Sequence, residues 1–134
     1  ISDSPKKTFW HGHSFTANPL GCAAANASLD LLEKDPIKYL SFEEKHLSHL
    51  KKIKKLPFVK NIRVTGTIAA FDIEIGKNKG YLNNIGKRIK ALSIKKGLFI
   101  RPLGNVIYLL PPLCITDNQL EKSYRIIYEI LSDL

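Results

Sequence analysis

The residues of this sequence best suited to chemistry are an arginine that follows one apolar run and a tyrosine inside the next. Arg101 follows the run at residues 98–100, and Tyr108 lies inside the run at 106–110. A buried guanidinium is costly unless paired, and its planar fork can bind a carboxylate or phosphate through two parallel hydrogen bonds. The pattern leaves three alternatives for Arg101: a ligand-binding residue, an exposed residue at a strand end, or a partner in an internal ion pair. The tyrosine hydroxyl likewise has its partner either in the protein or in a ligand.

The segment HGHSFTAN at residues 11–18 is a second candidate site, because it offers hydroxyl groups directly before a predicted helix. Asn18 is suited to cap that helix, and Pro19 to occupy its first position. Hydroxyls and backbone N–H groups beside a helix N-terminus favour an anion such as phosphate. His11 and His13 also suggest a metal, but no third ligand follows at a metal-binding spacing, so we predict no metal site.

Four helices must position these groups, and their apolar spacing and end residues predict them. The first begins at Pro19, the second at Asp35-Pro36, and the fourth at the capping box of Thr116 and Gln119. Gly97 is suited to end the third. The residues predicted to form the apolar stripes of the second, third and fourth helices are Leu40, Leu47, Leu50 and Ile53; Leu82, Ile85, Ile89 and Leu92; and Leu120, Tyr124, Ile127, Leu131 and Leu134.

Strands are predicted in two pairs. Residues 59–75 form one pair around the turn Thr65-Gly66-Thr67, and residues 98–100 and 106–110 form the other around Gly104-Asn105. The order is helix, helix, strand, strand, helix, strand, strand, helix. This order predicts an α+β fold, in which a small and mostly antiparallel sheet carries helices on one side.

The composition favours one globular domain or a piece of a larger protein. The 134 residues are 44% hydrophobic, and no apolar run approaches the roughly 20 residues that span a membrane. The net charge of +9 permits nucleic-acid or anion binding. Two lysine pairs lie on one predicted helix without interleaved aromatic residues, which favours a solvated surface over RNA binding. Cys22 and Cys114 form no CxxC motif and are predicted to be reduced, core-like thiols of a cytoplasmic protein.

Three segments, in this order, resemble class III aminotransferases, which are pyridoxal-phosphate enzymes of the aspartate-aminotransferase-like fold. The segments are HGHSFTANPLGCAAANASLDLL, IRVTGTIAAFDIEI and GLFIRPLGNVIYLLPPLCIT. The resemblance covers nearly the whole chain and implies that it is only the C-terminal part of such an enzyme. Residues 1–32 would be the end of the large cofactor domain and the start of a connecting helix, and residues 33–134 would be the small C-terminal domain.

The resemblance also implies roles for single residues. Ser14 matches the hydroxyl residue that contacts the cofactor phosphate, across the dimer in the neighbouring subunit's site. Arg101 matches the arginine that binds the substrate carboxylate, and Tyr108 matches a tyrosine of the substrate pocket. The lysine that carries the cofactor would lie upstream of Ile1. We therefore expect no catalytic residue in this chain, and the chain alone should not transaminate.

The details of RPLGNVIYLLPP and HGHSF are most similar to the class members that act in biotin synthesis. This similarity implies S-adenosylmethionine as amino donor, 8-amino-7-oxononanoate as acceptor and 7,8-diaminononanoate as product. Another class III aminotransferase, acting on an ω-amino acid or diamine, is the first alternative, and a basic RNA-binding module is a distant one. We expect small-molecule substrates, pyridoxal 5'-phosphate as cofactor and a cytoplasmic homodimer, without nucleic-acid or membrane partners.

Overall fold

The structure is a computed structural model that describes residue 6 and residues 10–35, 40–75 and 84–134. The chain divides into two units, Ile1–Pro36 and Ile37–Leu134. Helix α1 (Pro19–Lys34) belongs to the first unit. The described elements of the second unit are α2 (Phe42–Ile53), β1 (Val59–Thr65), β2 (Ile68–Ile73), α3 (Ile85–Lys95), β3 (Val106–Leu109) and α4 (Asp117–Ser132). The assignment of residues 1–32 and 33–134 to two domains of a larger enzyme stays a prediction.

The sheet of the second unit has the order β1-β2-β3, and both strand pairs are antiparallel. The β1–β2 hairpin turns at Gly66, whose positive φ of 55° suits glycine, as the sequence predicted. One face of the sheet carries fully buried side chains, such as Phe71 opposite Ile107. The other face carries Lys60 opposite Asp72. This alternation sets one face toward the core.

The core of the second unit forms where α2, α3 and α4 cover the apolar face of the sheet. The core residues come from all three helices and all three strands, among them Leu50, Ile53, Val59, Phe71, Ile73, Ile89, Ile107, Leu120, Tyr124 and Ile127. The predicted α+β fold, with a small antiparallel sheet and helices on one side, is confirmed. No helix among the described residues is long and apolar enough to span a membrane.

Helix ends agree with the sequence prediction. Asn18 caps α1 by accepting a hydrogen bond from the Gly21 N–H at 2.8 Å. Thr116 and Gln119 form the reciprocal capping box of α4. Gly97, with a φ of 80°, ends α3. These interactions depend on residues within a few positions of one another, which is why the sequence pattern predicts them.

The predicted strand at residues 98–100 is wrong. The Leu98 N–H donates instead to the Ser93 carbonyl at 2.8 Å, and the Gly97 N–H donates to the Ile94 carbonyl at 3.0 Å. These two bonds are the Schellman pattern that closes the C-terminus of α3. The segment therefore belongs to a helix cap and a loop, and Phe99 is 69% exposed.

The predicted stripe of the second helix is partly wrong. Leu40 and Leu47 are 79% and 51% exposed, whereas Phe42 and His46 are buried. The described helix begins at Phe42, so its buried positions repeat from there at helical spacing. The predicted start at Asp35-Pro36 and the residue Leu82 of the third helix lie at or outside the limits of the described residues.

The cysteine prediction is also wrong in one respect, because Cys22 and Cys114 are both exposed. Cys22 lies on α1, a helix on which no side chain is buried. Cys114 lies between β3 and α4, where Leu110 is also exposed. Both thiols are free, and neither contributes to the core.

Candidate functional site

The turn that carries Arg101 is fixed by backbone hydrogen bonds on both sides. Leu103 and Val106 exchange two N–H···O bonds of 2.9 Å, and Gly104 between them has a φ of 61°. Asn105 is buried against the end of β2, where its carbonyl accepts from the Ile73 N–H at 2.8 Å. The Gly-Asn pair thus supplies the turn that the sequence predicted, and it sets the direction in which the chain leaves Arg101.

Arg101 is exposed at the start of this turn. No carboxylate in the described part of the chain pairs with it, whereas Arg63 on β1 binds Asp72 on β2 at 3.0 Å. Of the three alternatives that the sequence left open, an internal ion pair is therefore excluded for the described residues. The guanidinium keeps its donors available for an anion, which is the condition for binding a carboxylate through two hydrogen bonds.

Tyr108 lies on the edge strand β3 and is half-buried. Its hydroxyl makes no hydrogen bond to any described residue, so this polar group is also available to a ligand. Arg101 and Tyr108 line the same cavity of about 370 Å³. The other lining residues are mostly apolar: Phe99, Ile100, Leu109, Leu110, Pro111, Pro112, Ile115 and Ser123.

The chemistry of this cavity follows from its lining. Arg101 is the one cation among the lining residues, and Tyr108 and Ser123 are the two hydroxyl side chains. A ligand with one acidic group and an apolar body fits this combination, because the guanidinium binds the acid while the prolines and leucines cover the rest. A ligand with two strongly acidic groups would leave one of them without a cation.

Sequence reasoning missed the contribution of α4 to this cavity. Ser123 reaches the lining from α4, while its neighbour Tyr124 is buried in the core. The predicted stripe of α4 contained Leu120 and Tyr124, and both are buried as expected. The available signal in the sequence was that Ser123 lies next to the predicted stripe residue Tyr124. Only the packed structure shows that Ser123 faces the cavity.

Ser14 lies in the first unit, in the turn before α1. The neighbouring Thr16 hydroxyl is used within the turn: it accepts from the His13 N–H at 2.9 Å and donates to the His13 carbonyl at 2.8 Å. Asn18 is used as the cap of α1. The exposed Ser14 hydroxyl, in contrast, makes no hydrogen bond to a described residue. It can therefore donate to an anion such as a phosphate oxygen, which is the contact that the resemblance implies for this residue.

The two histidines before this turn do not form a metal centre in the described structure. Their rings are 6.3 Å apart between centroids. The described residues contain no group of three or more His, Cys, Asp or Glu side chains that could hold a metal ion. The His13 Nδ1 instead accepts a hydrogen bond from the Phe15 N–H at 3.1 Å, which contributes to the turn.

The sequence matches the family described as aminotransferase class III over residues 2–131. The chain belongs to the class III aminotransferases. This match confirms the family resemblance of the three sequence segments. Members of this class are pyridoxal-phosphate-dependent enzymes. The three residue roles that the resemblance implied, for Ser14, Arg101 and Tyr108, stay predictions.

Curated relatives of this aminotransferase chain carry one name in several organisms. It is 47% identical over 133 residues to an adenosylmethionine-8-amino-7-oxononanoate aminotransferase of Synechococcus elongatus, with 99% of the chain and 31% of the relative covered. It is 38% identical to the enzyme of the same name from Helicobacter pylori, with 96% and 30% covered. The chain thus spans about 30% of the length of the relatives that it matches.

Solved structures of aminotransferases show the same fold. The chain matches the crystal structure of adenosylmethionine-8-amino-7-oxononanoate aminotransferase from Methanocaldococcus jannaschii with a TM-score of 0.80 and 30% identity, covering 94% of this chain and 30% of that one. It matches acetylornithine aminotransferase from Elizabethkingia anophelis with a TM-score of 0.77 and 29% identity, covering 96% and 32%. These matches confirm the fold class. The two TM-scores are nearly equal, so fold similarity does not distinguish between the two named enzymes.

Proposed function

We propose that this chain is the C-terminal part of an adenosylmethionine-8-amino-7-oxononanoate aminotransferase. In the complete enzyme it would help to transfer an amino group from S-adenosylmethionine to 8-amino-7-oxononanoate in biotin synthesis. The enzyme name that the curated relatives share supports this proposal. The observation in the structure that supports it best is the cavity of Arg101 and Tyr108, whose lining is mostly apolar and contains one cation.

The acceptor would be held by its carboxylate. Arg101 would bind that group through its guanidinium, and Tyr108 would contribute a hydroxyl from the half-buried edge strand. The apolar residues of the cavity would cover the carbon chain and exclude water from it. Fixing one end of a long substrate brings its other end to a constant position, and this positioning is what the small domain would contribute to the reaction.

Pyridoxal phosphate, when bound, supplies the electron sink for the chemistry at carbon. From this chain, the Ser14 hydroxyl would hold a phosphate oxygen of that cofactor, in the site of the neighbouring subunit of a homodimer. The lysine that carries the cofactor would belong to a part of the enzyme outside these 134 residues. The isolated chain would therefore bind no cofactor covalently at a specific site and would be inactive.

The exposure of α1 supports the proposal that the chain works within a larger enzyme. None of the sixteen residues of this helix is buried, and Leu20, Leu29 and Leu31 are 84%, 56% and 61% exposed. A helix with apolar side chains gains stability only when they are covered. Residues 1–32, which we assign to the end of the large cofactor domain and the start of a connecting helix, would be covered by the rest of that domain.

A second candidate is a class III aminotransferase for an ω-amino acid or diamine, since the acetylornithine enzyme is almost as similar in fold. Activity of the complete enzyme with three amino donors separates the two. With 8-amino-7-oxononanoate as acceptor, we expect product with S-adenosylmethionine and none with alanine or glutamate. Activity with alanine or glutamate toward a different acceptor, and none with S-adenosylmethionine, would favour the second candidate.

A further inference from the structure

The turn that carries Arg101 rests directly on a glycine of a neighbouring helix. Gly86 is the second residue of α3 and is buried. A Cβ atom added at Gly86 would overlap the Gly104 carbonyl oxygen and would lie 2.8 Å from the Pro102 Cβ. Real Cβ atoms essentially never approach other atoms closer than 3.0 Å. The turn can occupy its observed position only because residue 86 has no side chain.

We propose that Gly86 is a positioning residue for Arg101, which sets the depth at which the turn lies on α3 and thereby the place of the guanidinium in the cavity. This inference rests on the proposed function of Arg101 in binding the substrate carboxylate. Pro102 and Gly104, the two residues that an added Cβ at Gly86 would meet first, follow Arg101 by one and three positions. A displacement of this contact therefore moves the backbone that carries the arginine.

The Leu103–Val106 hydrogen bonds keep the turn's own shape, but the turn is exposed and can shift as a unit more easily than the helix can. On the C-terminal side of Gly86, α3 is anchored in the core by Ile89 and Ser93, which are both fully buried. The turn residues Arg101 and Leu103 are exposed, and the next strong anchor along the chain is the buried Asn105. An added methyl group should therefore push residues 101–104 outward while the core keeps its packing, because close-packed interiors resist displacement more than exposed loops do.

The displacement needed to relieve this overlap should exceed what a binding site tolerates. Functional groups must be held within about 0.5 Å of their working position, and a misplacement of about 1 Å can reduce activity about 100-fold. In the complete enzyme, Gly86→Ala should raise the KM for 8-amino-7-oxononanoate by about tenfold to 100-fold. The affinity for pyridoxal phosphate should stay within about twofold, because Arg101 is assigned to the substrate and not to the cofactor.

The control is Gly66→Ala in the β1–β2 turn. Gly66 has a positive φ of 55° but no atom within 4 Å of an added Cβ, so this variant strains the backbone without pushing on a neighbour. It should lower stability and leave the KM unchanged. Arg101→Ala, measured in parallel, should raise the same KM more than Gly86→Ala does. Amide chemical shifts of the isolated chain should change at Arg101 and at residues 103–105 in the Gly86 variant and not in the Gly66 variant.

The outcomes separate this inference from the function on which it rests. If Arg101→Ala leaves the KM unchanged, the proposed function fails and the positioning role fails with it. If Arg101→Ala raises the KM while Gly86→Ala behaves like Gly66→Ala, only the positioning role is overturned. A Gly86→Ala chain that loses its fold would also overturn it, because the helix and not the turn would then have yielded.

Discussion

Acidification should destabilise the second unit through one buried imidazole. His46 on α2 is fully buried, and its Nε2 lies 3.0 Å from the Thr67 carbonyl of the β1–β2 turn. Its Nδ1 lies 2.6 Å from the Tyr124 hydroxyl on α4. A carbonyl can only accept, so Nε2 carries the proton and Nδ1 accepts from the tyrosine. The neutral imidazole therefore satisfies both partners and joins two helices to the hairpin.

The sign of the pH effect follows from the direction of the pKa shift. Burial lowers the pKa of His46 below its ordinary value of 6.5, the bond to Thr67 raises it, and nearby His49 lowers it again. Since the pKa of His46 is lower in the folded chain than in the unfolded chain, the unfolded chain binds more protons at a pH between the two pKa values. Stability is thus complete above pH 6.5 and falls as the pH drops from 6.5 toward the folded pKa.

The loss of stability on acidification has an upper limit, because His46 binds only one proton. Between pH 7.5 and 5.5 the free energy of unfolding should decrease by at most about 1.4 kcal/mol through this group, the value for one proton over one pH unit. Burial also raises the pKa of Tyr124, so the tyrosine remains a donor throughout this range. Urea unfolding of the chain at several pH values, followed by far-UV circular dichroism, measures the change.

The matched control is His46→Gln, which cannot titrate but can still donate and accept hydrogen bonds. The three other histidines remain in both chains, so the difference between the chains reports the titration of His46 together with its interaction with His49. The wild-type chain should lose more stability on acidification than the variant does. Equal pH dependence in the two chains would refute the assignment of this effect to His46.

Two further predictions concern the buried contact and the isolated chain. Tyr124→Phe should lower the free energy of unfolding by about 1–3 kcal/mol, because it leaves the His46 Nδ1 buried without a donor; an unchanged urea midpoint would show that the 2.6 Å contact contributes nothing. Pyridoxal phosphate added to the isolated chain should give only the weak, non-stoichiometric reaction of exposed lysines. Modification of one lysine at a one-to-one ratio, found by mass spectrometry after reduction, would contradict the proposal that the cofactor lysine lies elsewhere.

The sequence predicted local features of the fold well. The caps at Asn18 and Thr116 and the end of α3 at Gly97 depend on hydrogen bonds over a few residues, which the residue types specify. The run at residues 98–100 was misassigned, because an apolar run becomes a strand only if a partner strand is available. Here the Leu98 N–H completes a helix cap instead.

The burial of His46 depends on residues distant in sequence. Its partners Tyr124 and Thr67 lie 78 and 21 positions away, so no local pattern brings them together. The candidate site depends on a different kind of signal. The sequence pattern alone left Arg101 and Tyr108 open to several interpretations, and the family resemblance supplied their predicted roles. The structure adds that both line one cavity, and that the Gly86 contact supports the turn between them.

The most direct test of the account is the affinity of the complete enzyme for 8-amino-7-oxononanoate when Arg101 is replaced by alanine. Calorimetric titration of the cofactor-loaded enzyme should show a loss of about 2–4 kcal/mol in binding free energy, or about 30-fold to 1000-fold in Kd. The control is Arg63→Ala, which removes an arginine of β1 that does not line the cavity and is already paired with Asp72. We expect a large loss for Arg101→Ala and none for Arg63→Ala. Equal affinity in the wild-type and Arg101→Ala enzymes would contradict it.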